Sequence, residues 1–264
     1  MKPASRSLFG PTNLTETLFH LYPAIESRLS DLWLPAPHQI NEGMSFGVSL
    51  WKLDQALDGM DLTMALPASL MRAVRTRQLS FIGGRLCAER VAKALGYPSA
   101  VIGRTARGEP VWPSGLRGSI THIDGFAYSS AVRSNVCNGL GIDSEWVGGQ
   151  DVLDSLLQTC LTVSEKDRWL GGERDPLIAI LIFSAKEAGY KAIHERVGRF
   201  IDFTEFEVTE LRQDVGLLVL TPVAGSKLDG VIEPLVVHFR VQAGEKPLVH
   251  TWCFVPGADV GRNP

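Results

Sequence analysis

The sequence has 264 residues, of which 45% are hydrophobic, and its formal net charge at pH 7 is −3. This length is enough for a well-buried core in one large domain or two small ones. The charge argues against general nucleic-acid binding, which usually needs a basic surface. Four widely spaced cysteines form no C-x-x-C motif, so we expect buried, reduced thiols in a cytoplasmic protein rather than a zinc cluster or a disulfide framework.

The first 42 residues contain five prolines, which predict an irregular N-terminal extension. Gly10, Pro11 and Glu16 interrupt the apolar residues of this segment, so it lacks the core of a signal peptide. Because no uninterrupted apolar run approaches the length of a membrane span, we expect no membrane association.

A strand and a long helix are predicted next. Residues 44–53 alternate apolar and polar side chains, as a strand does. Helical spacing of apolar residues then runs from Pro67, a favoured first-turn residue, to an expected C-terminal cap at Gly96. Inside this helix, Gly83 and Gly84 cost about 1 kcal/mol each relative to alanine. A close neighbour, either a packed element or a ligand, is therefore expected beside them.

The middle of the chain predicts two β-hairpins. A turn sequence at residues 107–110 divides a strand pair over residues 101–111. A favoured Asp-Gly turn then joins strands at residues 118–122 and 126–132.

The second half repeats the order of strand, short helix, long helix and hairpin. Its predicted elements are a strand at 139–145, helices at 164–170 and 176–194, and strands near 203–208, 217–220, 235–241 and 248–254. The repeated order predicts an α+β fold with two similar subdomains in a pseudo-twofold arrangement. We expect an extension at 1–42 and subdomains at 43–137 and 138–264, with a ligand cleft at their seam. One chain then supplies both halves of the cleft, which favours a monomer.

Carboxylates of the second half form a candidate metal site. On the strand at 139–145, Asp143 and Glu145 point to one face and lie roughly 7 Å apart. On the long helix, Glu187 and Lys191 share a face at i and i+4. If this helix packs over the strand, three carboxylates without histidine or cysteine form a hard oxygen site suited to Mg²⁺. Taken singly, each pair is more often a solvated strand edge or a surface salt bridge.

Three motifs in a fixed order carry a family resemblance. They are Gly118-Ser-Ile-Thr-His122, Gly141-Ile-Asp-Ser-Glu145 and Phe183-Ser-Ala-Lys-Glu-Ala-Gly-Tyr-Lys191. Together they resemble the 4′-phosphopantetheinyl transferases, most closely the larger single-chain members of the enterobactin- and surfactin-synthetase-activating type. The resemblance covers roughly residues 75 to 195. Upstream it is supported by Arg77, by the stretch from Phe81 to Ala88 and by the stretch from Arg107 to Pro113.

The resemblance implies a holo-carrier-protein synthase. Such an enzyme transfers the 4′-phosphopantetheine arm of coenzyme A to a serine of an apo acyl or peptidyl carrier protein and releases 3′,5′-ADP. The implied cofactor is Mg²⁺, with Mn²⁺ as the alternative, bound by Asp143, Glu145 and Glu187. The resemblance leaves siderophore, fatty acid, polyketide and peptide synthesis open as the pathway that the carrier serves.

The remaining site residues are also implied by the resemblance. Lys191, His122 and Thr121 are expected at the phosphates of coenzyme A. The expected contacts of its 3′-phosphate and adenine end are Arg77, Arg85 and Arg107, with Arg104 a weaker candidate. For the general base we expect Glu187, while Glu165 and a water molecule remain alternatives. The rival reading of Glu165 is a charge that stabilises a helix N-terminus.

Two other classes of function stay open from the residues. A metal-dependent hydrolase could use the same carboxylates to activate water against a pyrophosphate. A non-catalytic module could bind coenzyme A or a carrier protein without changing it. The complete set of Asp143, Glu145, Glu187 and Lys191 counts against the module, because binding alone has no need of all four.

Overall fold

The computed structural model describes residues 14–21, 30–105, 107–171 and 174–257, apart from the side chains of residues 19–21, 30 and 64. Two antiparallel sheets and their helices make an α+β fold. The first sheet has the strand order β1-β2-β6-β5, and the second has the order β7-β11-β10-β9-β8. A small third sheet pairs β3 with β4.

The first sheet and its helices form one lobe. Its strands are β1 (Trp33–Pro35), β2 (Gly43–Ser49), β5 (Leu116–Ile123) and β6 (Phe126–Arg133), and the ribbon strands are β3 (Gly103–Arg104) and β4 (Pro110–Val111). Its helices are α1 (Leu14–Leu21), α2 (Leu50–Ala56) and α3 (Arg75–Ala94). The long helix α3 packs against the sheet and buries Ile82, Leu86 and Val91.

The second sheet and its helices form the other lobe. Its strands are β7 (Cys137–Trp146), β8 (Phe206–Arg212), β9 (Leu217–Pro222), β10 (Leu235–Gln242) and β11 (Leu248–Pro256). Its helices are α4 (Gln150–Thr159), α5 (Val163–Glu165), which continues as a π-helical turn (Lys166–Leu170), and α6 (Pro176–Val197). One face of α6 is almost completely buried, and this face packs against β7 and β11.

The expected close neighbours of the Gly83-Gly84 pair are confirmed. A Cβ on Gly83 would lie 2.6 Å from Leu50 Cδ2, and one on Gly84 would lie 2.8 Å from Ile120 Cγ2. Both contacts are side chains of the same lobe, so this pair serves the packing of α3 rather than a ligand.

The strand β7 lies at the seam between the lobes. It pairs with β11 in the second sheet and also packs beside β5 of the first. Ser119 Oγ accepts a hydrogen bond from the Ile142 backbone N–H at 3.1 Å, so a buried polar contact joins the two strands. This contact holds residues 118–122 of β5 beside residues 141–145 of β7.

Gly141 allows α6 to lie directly on β7, and its replacement is expected to be destabilising. A Cβ at this position would overlap the carbonyl oxygen of Ala188 in the α6 backbone. Because backbone cannot move aside as a side chain can, we expect Gly141→Ala to lower the unfolding free energy by about 2 kcal/mol or more. Chemical denaturation followed by circular dichroism measures this change. Gly244→Ala is the matched control, since a Cβ there would lie 3.7 Å from the Lys246 carbonyl oxygen, which is an ordinary contact; equal losses in both variants would contradict this packing.

Several sequence predictions are wrong in detail. The strand expected at 44–53 ends at Ser49, whose side chain accepts from the Lys52 N–H and starts α2. The helix expected from Pro67 begins at Arg75, because Pro67 precedes only a short 3₁₀ turn. The described part of residues 1–42 is not wholly irregular, since it contains α1 and the sheet strand β1. The helix α4 was not predicted at all.

The predicted hairpins and four of the five strands expected in the second half are confirmed. The strand expected near 203–208 is shifted, because residues Phe203–Glu205 form a 3₁₀ turn and β8 begins at Phe206. The two lobes each place a long helix on an antiparallel sheet, but one sheet has four strands and the other five. The pseudo-twofold arrangement and the proposed domain boundaries therefore stay predictions. Nowhere in the described ranges does a helix combine the length and the apolar character that crossing a membrane requires.

Candidate active site

A cavity of about 840 Å³ lies between the lobes. Strand β5, helix α6 and the loop between β3 and β4 form its walls. The lining residues that the sequence singled out are Arg77, Arg104, Arg107, Glu187 and Lys191. The cavity thus combines cations from both lobes with the carboxylates of Glu109 and Glu187, and the excess of cations suits a ligand that carries several phosphates.

Asp143 is the most fully bonded carboxylate of this site. Its Oδ1 accepts hydrogen bonds from Lys191 Nζ at 2.7 Å and from Thr121 Oγ1 at 3.1 Å. Its Oδ2 accepts from Ser184 Oγ at 2.9 Å. These three donors come from β5 and α6, so Asp143 is fixed from both lobes. The predicted packing of the helix over the strand is confirmed by these contacts.

Lys191 is the counter-charge of the carboxylates. Its Nζ also donates to the Ile142 carbonyl at 3.2 Å, which uses a second of its three protons and leaves the third for the cavity. Burial by itself would lower the pKa of Lys191. The negative charges of Asp143 and Glu187 and the hydrogen bond to Asp143 outweigh burial and raise the pKa. Lys191 is therefore held as an ammonium at the cavity wall.

Glu145 and Glu187 are half-buried beside this pair. Burial and the negative charge of Asp143 raise the pKa of Glu145 to about 8, against the opposing charge of Lys191. Burial also raises the pKa of Glu187; Lys191 opposes this rise, and Asp143 adds to it. One ammonium does not balance three carboxylates, so the site has an excess of negative charge that a cation would neutralise.

The carboxylates do not form a ready-made metal cage. In the part of the chain that the structure describes, no three His, Cys, Asp or Glu side chains are grouped so that they could hold a metal ion. Lys191 Nζ and Thr121 Oγ1 contact the Asp143 oxygen that faces them, where a ligand would otherwise lie. The donor chemistry of Asp143, Glu145 and Glu187 fits a hard divalent cation, but the side chains would have to reorient to bind it.

His122 and Arg77 meet at the edge of the cavity. Arg77 Nη1 lies 2.9 Å from His122 Nε2. Because arginine can only donate, Nε2 accepts, and the proton of the neutral ring is on Nδ1. The loss of surrounding water and then the charge of Arg77 lower the pKa of His122, in agreement with a neutral ring. A hydrogen bond from the ring to its own backbone opposes this shift, so the remaining N–H groups of Arg77 are the donors that this pair offers to an anion.

Arg85 is not in this cavity. Its guanidinium donates to the Gly103 carbonyl at 3.1 Å and lies over the ring of Phe81. It lines a neighbouring cavity of about 360 Å³ that it shares with Arg104. Burial and the nearby charge of Arg104 lower the pKa of Arg85 to about 10, while Glu89 opposes them. Arg104 therefore connects Arg85 to the main cavity, which Arg85 does not reach.

Glu165 is also apart from the cavity and is fully buried. Its Oε2 accepts from Lys186 Nζ at 2.7 Å and from the Thr162 N–H at 2.8 Å. Its Oε1 accepts from the Val208 N–H at 2.7 Å. Thr162 in turn accepts from the Glu165 N–H, which completes a capping box. These bonds describe a structural carboxylate that joins α5, α6 and β8.

Some residues of the site had no sequence signal. His194 and Arg199 line the cavity, and so does Tyr190, which stands beside Lys191 in the third motif. His38, far away in the sequence, lies behind the carboxylates, where its Nε2 bonds the Asp143 carbonyl at 3.1 Å. Long-range packing brings His38 and Arg199 here, so no local motif could have identified these two.

Comparisons with known proteins agree with the geometry. Residues 66–132 match the family of the 4′-phosphopantetheinyl transferase N-terminal domain, and residues 139–232 match the 4′-phosphopantetheinyl transferase superfamily. The chain is 37% identical over 173 residues to 4′-phosphopantetheinyl transferase Svp from Streptomyces mobaraensis, which covers 62% of this chain and 69% of Svp.

Two further relatives match over shorter regions. 4′-Phosphopantetheinyl transferase Npt from Nocardia iowensis is 34% identical over 143 residues, which cover 53% of this chain and 62% of Npt. Enterobactin synthase component D from Salmonella typhi is 33% identical over 129 residues, which cover 48% of this chain and 53% of that protein. The chain thus spans less than two thirds of the length of both.

Proposed function

Because the chain belongs to the 4′-phosphopantetheinyl transferase superfamily, we propose that it transfers the 4′-phosphopantetheine arm of coenzyme A to a serine of an apo carrier protein, with 3′,5′-ADP as the second product. The observation that carries the proposal is the meeting of Asp143, Lys191 and Thr121 at a cation-lined cavity between the lobes. Mg²⁺ is the proposed cofactor, with Mn²⁺ as the alternative.

The cavity supplies the binding site for the nucleotide end of coenzyme A. Arg77, Arg104 and Arg107 provide positive charge from the first lobe, and Lys191 provides it from the second, whereas the guanidinium of Arg199 is paired with Glu205 at 2.7 Å. Arginine forks match phosphate oxygens in pairs, so these side chains suit the phosphates of coenzyme A. Arg85 supports this wall from behind through its place beside Arg104.

Negative charge develops on the leaving phosphate, and two residues can stabilise it with hydrogen-bond donors. Lys191 has one proton left after its bonds to Asp143 and Ile142, and Arg77, whose Nη1 is fixed on His122, has further N–H groups. Both are held in place by other bonds before a ligand arrives, so they stabilise charge without a large rearrangement. A divalent ion, when bound by Asp143, Glu145 and Glu187, would neutralise pyrophosphate charge as a Lewis acid.

Glu187 is the proposed general base. It lines the cavity, and its raised pKa makes it a better proton acceptor than an ordinary carboxylate. The pKa of Lys191 is raised, so this residue stays protonated and serves as a donor. Glu165 is the weaker candidate, because all of its bonds join it to Lys186 and to backbone away from the cavity.

A single mass measurement tests the reaction. An apo carrier protein incubated with coenzyme A, Mg²⁺ and this protein is expected to gain the mass of one phosphopantetheine on its serine. Release of free phosphopantetheine with an unmodified carrier would show a hydrolase instead. Binding without any change in mass would show a non-catalytic module. A control without the protein measures spontaneous modification.

Both lobes of one chain line the cavity, which supports the expectation of a monomer. Size-exclusion chromatography with light scattering, in the presence and absence of coenzyme A, measures the mass of the active species.

A further inference from the structure

The loop between β1 and β2 starts and ends in the first sheet but packs on the second. It comprises residues 36–42, and the two strands that flank it pair with each other. Its Ala36 and Ile40 contact an apolar cluster that includes Ile142 of β7 and Trp252 of β11. The loop precedes both regions that match the transferase family. It therefore adds, from outside those regions, a contact to the strand that carries two proposed metal ligands.

His38 in this loop hydrogen-bonds the backbone of one of these ligands. Its side chain is buried, and its Nε2 lies 3.1 Å from the carbonyl oxygen of Asp143. Because a carbonyl oxygen can only accept, Nε2 has to carry a proton. Burial lowers the pKa of His38 to about 4, although the bond to Asp143 opposes this shift, so the ring is neutral and Nδ1 carries no proton at neutral pH. His38 is therefore a neutral donor to β7.

Ser144 and His250 continue this contact across the second sheet. Ser144 Oγ lies 3.3 Å from His38 Nε2 and 2.9 Å from His250 Nδ1. Ser144 in β7 and His250 in β11 are opposite each other in the strand register. The rings of Tyr128 and Trp252 contact the ring of His38 at centroid distances of 5.7 and 6.2 Å. Of the described residues that line the active-site cavity, none belongs to this network, so the network acts on the strand and not on a substrate.

Packing alone does not explain the two histidines. Nδ1 of His38 and Nε2 of His250 are buried and have no hydrogen-bond partner in the part of the chain that the structure describes. An unpaired polar atom in the interior costs free energy, whereas an apolar side chain of similar size would fill the same space without that cost. The bonds that the histidines do make, to the Asp143 carbonyl and to Ser144, are therefore the better explanation of their presence.

The backbone at Asp143 is held by side chains from three other elements. The Ile142 N–H donates to Ser119 Oγ of β5 at 3.1 Å, and the Ile142 carbonyl accepts from Lys191 Nζ of α6 at 3.2 Å. The bond from His38 to the Asp143 carbonyl is the third. Misplacing a catalytic group by about 1 Å can cost roughly a hundredfold in rate, so the position of this backbone affects the site directly.

We propose that His38 is a positioning residue, which holds β7 through the Asp143 carbonyl and the Ser144 hydroxyl so that the Asp143 carboxylate is placed to bind the divalent cation. This inference rests on the proposed function and its metal site. Side chains have to reorient before the carboxylates can bind a metal ion, and a fixed backbone limits that change to side-chain rotation. Partners of this kind, one bond removed from the ligand, affect metal affinity by about 10- to 100-fold.

Two substitutions of His38 test this role. His38→Leu keeps most of the volume and removes the donor, whereas His38→Gln can place an amide N–H near the position of Nε2. The probe is Mn²⁺ alone, without coenzyme A, followed by the loss of the paramagnetic resonance signal of the free ion. We expect the affinity for Mn²⁺ to fall about tenfold in His38→Leu and to stay within about threefold of the native value in His38→Gln.

Kinetics separate positioning from a general loss of structure. In His38→Leu, the Mg²⁺ concentration that gives half of the maximal transfer rate is expected to rise about tenfold. The KM for coenzyme A and the affinity for 3′,5′-ADP are expected to stay within about twofold, because the arginines of the cavity are unchanged. A loss of folded protein lowers all rates in proportion and leaves the metal dependence as it was. Circular dichroism verifies folding at the assay temperature.

His238→Leu is the matched control. His238 lies in β10, one strand further from β7, and its ring stacks on Trp252 at a centroid distance of 5.8 Å. The same substitution is thus made beside the same aromatic ring, away from Asp143. We expect the affinity for Mn²⁺ and the metal dependence of transfer to stay within about twofold in this variant.

The outcomes distinguish the inference from the proposed function. Native affinity for Mn²⁺ in His38→Leu would overturn the inference, and so would equal losses in His38→Gln or in His238→Leu. A native protein that binds no Mn²⁺ would overturn it as well. Transfer by the native protein together with any of these results would leave the transferase standing. Weaker Mn²⁺ binding in His38→Leu alone, without transfer by the native protein, would keep the positioning role and reject the transferase.

Discussion

Glu187→Gln is expected to reduce modification of the carrier protein by roughly a thousandfold while the protein stays folded. The amide keeps the size of the side chain but removes both the negative charge and the proton acceptor. Glu187 lines the cavity, and Lys191 and Asp143 are the charges that act on it. The variant therefore loses the base and one proposed ligand of Mg²⁺ together. Mass spectrometry of the carrier under single-turnover conditions measures the rate.

Two controls identify the cause of that loss. Glu210→Gln, at an exposed position of β8, removes the same charge far from the site and is expected to leave the rate unchanged. Titration with 3′,5′-ADP in the absence of metal is expected to give a similar or tighter affinity in Glu187→Gln, because a negative charge near the phosphates is gone. A rate within tenfold of the native protein would remove Glu187 from the mechanism.

The spacing of charged residues predicted which of them share a face of one element. Asp143 and Glu145 share a strand face, and Glu187 and Lys191 share a helix face, because these periods follow from local backbone geometry. The meeting of the two faces needed tertiary packing, and the family resemblance supplied it. The 2.7 Å contact of Lys191 with Asp143 was not predicted, since the lysine was expected at a phosphate.

The positions of the arginines could not be predicted from the sequence. Arg77 and Arg85 lie eight residues apart on one helix and were expected at the same ligand. The structure places Arg77 at the main cavity and Arg85 in the neighbouring one, behind Arg104. Eight residues along a helix span about 12 Å, so a common face does not mean a common contact. The same limit applies to Arg199, which follows α6 and reaches the cavity from the second lobe.

Two elements were predicted wrongly because the local sequence fits more than one structure. The alternation at residues 44–53 was taken as one strand, although Ser49 has the side chain of a helix cap and α2 starts after it. Pro67 was taken as a helix start, although proline also suits the short turn that it begins. In both places two local rules compete, and packing onto α3 and the first sheet decides between them.

Lys186→Met is expected to be strongly destabilising. It leaves the Glu165 carboxylate, buried in the core of the second lobe, without the one ionic partner that it has among the described residues. Removing one member of a buried ion pair costs about 3–5 kcal/mol, because the remaining charge is desolvated and uncompensated. Guanidinium denaturation measures the loss. Arg75→Met breaks the exposed pair with Asp54 and is expected to cost less than about 1 kcal/mol.

The same pair decides between the two interpretations of Glu165. If Glu165 is structural, Glu165→Gln lowers stability but keeps the rate of carrier modification per folded molecule within a few-fold. In the Lys186→Met background, the same substitution recovers part of the lost stability, because no unpaired charge remains. If Glu165 is the base, its amide loses activity at temperatures where the protein is fully folded. The carboxylate that accepts from Lys186, Val208 and Thr162 has no bond directed at the cavity, so the first result is expected. The second result would move the proton acceptor from Glu187 to Glu165 and require that α5 open during turnover.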